Sequence, residues 1–271
     1  MKATHPSLFF NGTQIKSVAL PSEHGGWGFL VEPILLGLLV AASAYGLILS
    51  AAILSAFLIH QPLKLALKDH MKGRRSPRTA WAERFVAGYG LIAIVLLGIV
   101  AVNADLRFVV PLFLALPFLL IQVWYDARNQ SRALIPEVCG AMALGSTASA
   151  LAVLGGWTLA AALPLWLILG SRCIPSILYV RTRLKLEQGK PIYPYSIWIA
   201  HGVAFFILTF MAAAHAIPAV VPGAFALLLV RALVGLSKYR KPRPAKQIGL
   251  LELAYGFFVV TLTAIGYAMN R

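Results

Sequence analysis

Apolar runs long enough to cross a bilayer follow one another along most of this chain, separated by short polar breaks. Windows of about 20 residues, the length that spans a hydrocarbon core, give nine candidate helices. They fall at 27–43, 45–61, 84–102, 108–125, 136–154, 158–178, 195–214, 218–236 and 249–269. The first two part only around Ala44-Tyr45-Gly46, which predicts a tight helical hairpin. The runs are continuous and rich in Leu and Ala, whereas barrel strands alternate apolar and polar positions. The fold class is therefore all-α, a polytopic transmembrane bundle of about nine spans. Residues 1–26 carry polar Asn11 to Lys16 and lack an apolar core of signal-peptide length. They are read as a cytoplasmic N-terminal segment ahead of a 27–271 bundle. The longest break is about 25 residues, too short for an independent soluble core.

Charge then orients the bundle. Twenty of the 24 Lys and Arg residues lie on the N-terminal segment and on alternate breaks, near 60–84, 126–135, 179–194 and 237–248. The other breaks hold only Arg107 and the terminal Arg271, while Arg172 and Arg231 fall near the ends of spans. Positive charge marks the cytoplasmic side, so the amino terminus is expected inside and the carboxyl terminus outside a bacterial inner membrane. The formal charge of +15 is thus explained by topology, with no nucleic-acid partner. A soluble nucleic-acid binder spreads basic patches over a polar surface; this chain is 59% hydrophobic and 12% charged. Cys139 and Cys173 lack pairing or metal-ligand spacing and are read as small buried hydrophobes.

Candidate chemistry gathers at the basic breaks. Glu23 and His24, followed by Gly25-Gly26, stand before the first span, where backbone can approach a ligand closely; Glu32 lies one or two turns further in. His60, Lys64, Lys68 and Lys72 recur every four residues and form one stripe on a helix. An anion between like charges, or lysines reaching for lipid phosphates, accounts for such a stripe. Tyr125, Asp126, Arg128 and Arg132 fill the next break, and Tyr179, Arg181 and Arg183 follow the sixth span with Arg172 nearby. Arginine forks recognise phosphate oxygens, and the pooled charge points to an anion site on the cytoplasmic face. Lys238, Arg240 and Lys241 are assigned to ordinary inside charge. Glu83, Glu137 and Glu252 open helices, where carboxylates complement the positive helix end. No catalytic triad, paired carboxylates or phosphate loop is present, and neither a metal site nor a cofactor is expected.

The block Ser22-Glu23-His24-Gly25-Gly26-Trp27, together with Tyr125-Asp126-Ala127-Arg128, Arg132, Tyr179-Val180-Arg181 and Lys246-Gln247-Ile248-Gly249-Leu250-Leu251-Glu252, resembles the YwiC-like family of bacterial membrane proteins. The resemblance runs from about residue 17 to the end and implies a membrane location. More distantly, the helix count and the function-rich breaks look like UbiA-type intramembrane prenyltransferases. Those enzymes hold magnesium and an isoprenyl diphosphate on Asn-Asp-x-x-Asp-x-x-x-Asp after the second helix and Asp-x-x-x-Asp after the sixth. Here the first motif falls on His60 to Lys68, with Gln61, Lys64 and Lys68 in place of aspartates, and the second falls near Arg181, Thr182, Arg183 and Lys185. Cations in those places repel a divalent metal and attract the diphosphate itself. The expectation is a UbiA-like bundle binding an anionic isoprenoid or phospholipid-like ligand among membrane lipids, as a metal-independent prenyltransferase-like transferase. The alternatives are a transporter or flippase of an anionic amphiphile and a non-catalytic membrane partner.

Overall fold

A computed structural model describes residues 12–20, 24–73 and 75–270, with side chains from Ile15 and, in the second helix, from Gly26. Ten α-helices follow in order: α1 Gly12–Ala19, α2 His24–Val40, α3 Ala44–Met71, α4 Pro77–Asn103, α5 Val109–Ala127, α6 Leu134–Leu154, α7 Leu159–Glu187, α8 Tyr195–Ala213, α9 Val221–Gly235 and α10 Ala245–Met269. A 3₁₀ turn at Leu106–Phe108 leads into α5, and the described residues contain no strand. Each apolar run of the sequence is one of the helices α2 to α10. Seven are long and apolar enough to cross a membrane, while Gly26–Val40 and Val221–Gly235 are shorter apolar helices.

Helices α3, α4 and α7 outrun their apolar windows, and α3 and α7 are the longest. With 28 residues in α3 and 29 in α7, at about 1.5 Å per residue, each is about 42 Å long against a core of about 30 Å. The basic ends therefore continue as helix beyond the apolar layer, because local backbone bonding does not stop where hydropathy does. Ser43 caps α3 by accepting from the Gly46 N–H, and Ser76 with Thr79 forms a capping box at α4.

The centre is α6, packed against α2, α3, α5 and α7. Its run Gly145, Ser146, Thr147, Ala148, Ser149, Ala150 is buried, and small residues let neighbouring helices approach where lipid supplies no hydrophobic drive. By contrast α4 packs mainly on α3 and exposes Leu91, Ile94 and Val102; α5 and α8 likewise expose Phe113, Phe206 and Phe210. These apolar faces are what a helix presents to acyl chains.

Candidate functional site

Cross-contacts gather the polar helix ends at one end of the bundle. His70 reaches Glu83 from α3 to α4 at 2.7 Å, and His60 reaches Asp126 from α3 to α5 at 2.6 Å. Arg181 on α7 meets Glu137 at the start of α6 at 2.7 Å and donates to the Arg132 carbonyl. Arg183, also on α7, donates to the Gly235 carbonyl that ends α9, to the Lys241 carbonyl at 2.5 Å, and pairs with Glu187 at 2.7 Å.

Arg181 and Arg183 therefore serve different neighbourhoods. Two residues turn a helix by about 200°, so one faces α6 and the other faces α9 and the 236–244 connection. The first neighbourhood holds His60 with Asp126 and Gln122, and Arg132 with Arg181 and Glu137. Arg128 there lies over Trp124, 3.6 Å from the ring centre, and Tyr125 meets the same Trp124 edge-on. Lys64 and Lys68 are half-buried along α3, with no carboxylate within ion-pair reach among the described residues. Glu23 lies outside the described residues, as does the side chain of His24.

The second neighbourhood is a cavity of about 320 Å³ between α7, α9, α10 and the 236–244 connection. Its lining contains Arg183, Arg231, Arg240, Lys241 and Arg243 against one carboxylate, Glu252. Tyr179, Tyr239 and Tyr255 with Val234, Ile248 and Leu251 complete a wall that is part aromatic and part aliphatic. A volume of this order suits a small ligand or one head group. Lys241 and Arg243 are exposed at its rim, whereas Arg183 and Arg231 are buried.

Behind the cavity, ionic groups continue into the apolar interior. On its floor Arg231 pairs with Glu252 and lies 4.0 Å from the centre of the Tyr179 ring. A second nitrogen of Arg231 is 3.1 Å from Nε2 of His201. His201 Nδ1 is 2.9 Å from the Ile197 carbonyl, so Nδ1 carries the hydrogen and Nε2 accepts from the guanidinium. One step deeper, Arg172 donates to the Glu252 carbonyl at 2.7 Å and pairs with Glu32 at 3.0 Å. Glu32 is 1% exposed and Arg172 4%.

This arrangement needs a glycine. A Cβ on Gly256 would overlap the Glu32 carboxylate and an Arg172 nitrogen, so α10 admits the pair only where its side chain is a hydrogen. A charge in the apolar layer is expensive alone, and each of these four finds an opposite partner. Arg172 was grouped with the loop cations from sequence; in the fold it belongs to a buried pair with Glu32. Arg240 and Lys241, set aside as ordinary inside charge, line the cavity beside Arg183 and Tyr179. Glu252 faces Arg231 rather than serving only the start of α10. Sequence gave one usable signal for this pair, since an Arg and a Glu inside apolar runs require partners.

Cys139 and Cys173 are buried thiols with no disulfide. No group of three or more His, Cys, Asp or Glu side chains converges closely enough to hold a metal among the described residues. In the connection between α4 and α5, the Arg107 side chain and N–H hold the Asp105 carboxyl below its usual value.

Fold and site thus define a multi-helix protein built for a membrane, with ion pairs inside it and a basic cavity at one end. The sequence model of the YwiC-like protein family matches residues 20–154. The protein YwiC of Bacillus subtilis (strain 168), itself described as uncharacterized, is 26% identical over 255 residues, covering 91% of this chain and 97% of that one. The chain is thus similar to the YwiC-like family, over residues 20–154 by the family model and over most of its length by the Bacillus subtilis relative. No solved structure matches it, and the likeness to UbiA-type enzymes rests on the helix count and the polar breaks of the sequence alone.

Proposed function

We propose that this YwiC-like membrane protein binds an anionic amphiphile, isoprenoid or phospholipid-like, with its head group in the cavity between α7, α9 and α10. The observation that supports this is the composition of the lining, five cations facing one carboxylate beside apolar walls. Arg183 pairs with Glu187, which also lies 3.9 Å from Arg240, and these groups shape the pocket; Lys241 and Arg243 at the rim, with Arg231 on the floor, supply the charge that faces the head group. Charge-assisted contacts of this kind are each worth about 1.5–3 kcal/mol. The Lys64 and Lys68 stripe on α3 draws lipid phosphates to the same membrane face without forming the pocket. With the positive ends inside, the cavity opens to the cytoplasm.

Octyl sulfate below its micelle concentration is a suitable probe, because its charge is fixed and its tail short. It is expected to bind the protein in nanodiscs of zwitterionic lipid, with octyl glucoside not competing. Equal competition by octyl glucoside overturns a site for the anionic group. A carrier reading is favoured by one further observation: buried polar groups continue past the cavity through Ser176 to Arg172 and Glu32, and Thr263 is buried about two turns beyond Gly256 on α10. Movement of a labelled anionic lipid between leaflets of proteoliposomes distinguishes a carrier from a one-sided binding protein.

A further inference from the structure

The floor of the cavity is an ion pair that an incoming anion disturbs. Arg231 is bound on one side by Glu252 and on the other by His201, and both Arg231 and Glu252 line the cavity. An anion seated among the cations draws on Arg231 and is repelled by the carboxylate beside it. Oε2 of Glu252 is buried and has no hydrogen-bond partner, so one oxygen of this group is open to a proton. We propose that binding of an anion in this cavity is coupled to the uptake of one proton by Glu252. The inference rests on the binding reading above and adds a co-substrate, the proton, to it.

The charges around Glu252 set the direction. From α9 it faces Arg231; from α7, Tyr179 and, through its own backbone carbonyl, Arg172; from α10, Tyr255. His201 on α8 touches it only through Arg231, and Glu32 on α2 is balanced by Arg172. Arg240, Lys241 and Arg243 line the same cavity, and Glu187 on α7 pairs with Arg183 and lies 3.9 Å from Arg240. With the cavity empty, Arg231 neutralises Glu252. With an anion present, that guanidinium is shared between two negative groups, and a proton taken up onto Oε2 restores the balance. No bond other than the new O–H is made. The bound state therefore holds one more proton than the free protein, and affinity rises as pH falls.

The test uses the full chain in zwitterionic nanodiscs and octyl sulfate, titrated calorimetrically from roughly pH 5.5 to 8.5, a range over which a sulfate ester does not titrate. Repeating the titration in two buffers of different ionisation enthalpy counts the protons. The expected result is uptake approaching one proton per ligand, with affinity falling by up to about tenfold per pH unit on the alkaline side. Glu252→Gln is expected to bind with no proton uptake and little dependence on pH; His201→Gln is expected to keep both. Binding to the wild type with no protons taken up overturns the coupling and leaves the binding reading standing. Absence of binding at every pH removes both. A pH slope kept in Glu252→Gln and lost in His201→Gln overturns the assignment to Glu252. If Glu252→Gln does not fold, the wild-type proton count and the His201→Gln titration still decide.

Discussion

Breaking the Glu32–Arg172 pair is expected to produce unequal losses, and the inequality follows from the chemistry of the two groups. Both side chains are buried in the bundle, and Arg172 also donates to the Glu252 carbonyl. Removing one member of a buried pair typically costs about 3–5 kcal/mol, because the other charge is left without compensation. Glu32→Gln leaves a guanidinium, which stays charged at any working pH, so its cost should lie at the upper end. Arg172→Met leaves a carboxylate, which can be neutralised by a proton, so its cost should shrink as pH falls. The double variant removes both charges and loses the bond to the Glu252 carbonyl, worth about 1.5–3 kcal/mol from a charged donor. The two singles together should therefore exceed the double by at least about 2 kcal/mol. Unfolding in mixed micelles at increasing fractions of an anionic detergent measures these differences. Additive losses, or an Arg172→Met cost that does not change between neutral and acid pH, would refute the reasoning.

Other consequences follow from single features of the fold. Gly256→Ala should destabilise the fold by about 1–3 kcal/mol, the cost of an overpacked core, and so lower the unfolding midpoint, since the new methyl meets the buried pair; an unchanged midpoint would mean that α10 shifts freely. Arg183→Gln should raise hydrogen exchange across 236–244 and weaken octyl sulfate binding, because Arg183 ties both Gly235 and Lys241; unchanged exchange would deny it that role. Reporter fusions after Arg78, Arg128, Lys185 and Arg243 should report cytoplasm, and a fusion after Gly156 the opposite side; a cytoplasmic signal after Gly156 would overturn the nine-span order. Octyl sulfate binding should persist in a chelator of divalent cations, and loss restored by magnesium would contradict direct capture of the anion by cations.

Much of the architecture was legible because hydropathy acts locally. Every apolar run became a helix, but the break between α2 and α3 falls at 41–43, just ahead of the predicted Ala44-Tyr45-Gly46, which open α3 because Ser43 caps that helix. Helix ends were misjudged where charge begins: α3 continues to Met71 and α4 starts at Pro77, because lysines and arginines are good helix formers outside the apolar layer. The pairing of charges was not legible. Glu32 and Arg172 are distant in sequence, and only the packing of α2, α7 and α10 around Gly256 brings them together. Composition likewise placed Arg181 and Arg183 in one group, whereas helix geometry sends them to different neighbours. The 236–244 connection looked like ordinary inside charge because nothing in its own residues announces that it folds over a cavity.

The central claim is that the cavity lined by Arg183, Arg240, Lys241 and Arg243 selects an anionic amphiphile. Mass spectrometry of the lipids that copurify with the protein tests it most directly, comparing the wild type with Lys241→Gln/Arg243→Gln and with Lys64→Gln/Lys68→Gln. The account predicts an anionic amphiphile enriched over the bulk membrane in the wild type, retained in the α3 variant and depleted in the cavity variant. The same lipids in all three proteins, or depletion in the α3 variant alone, would contradict it.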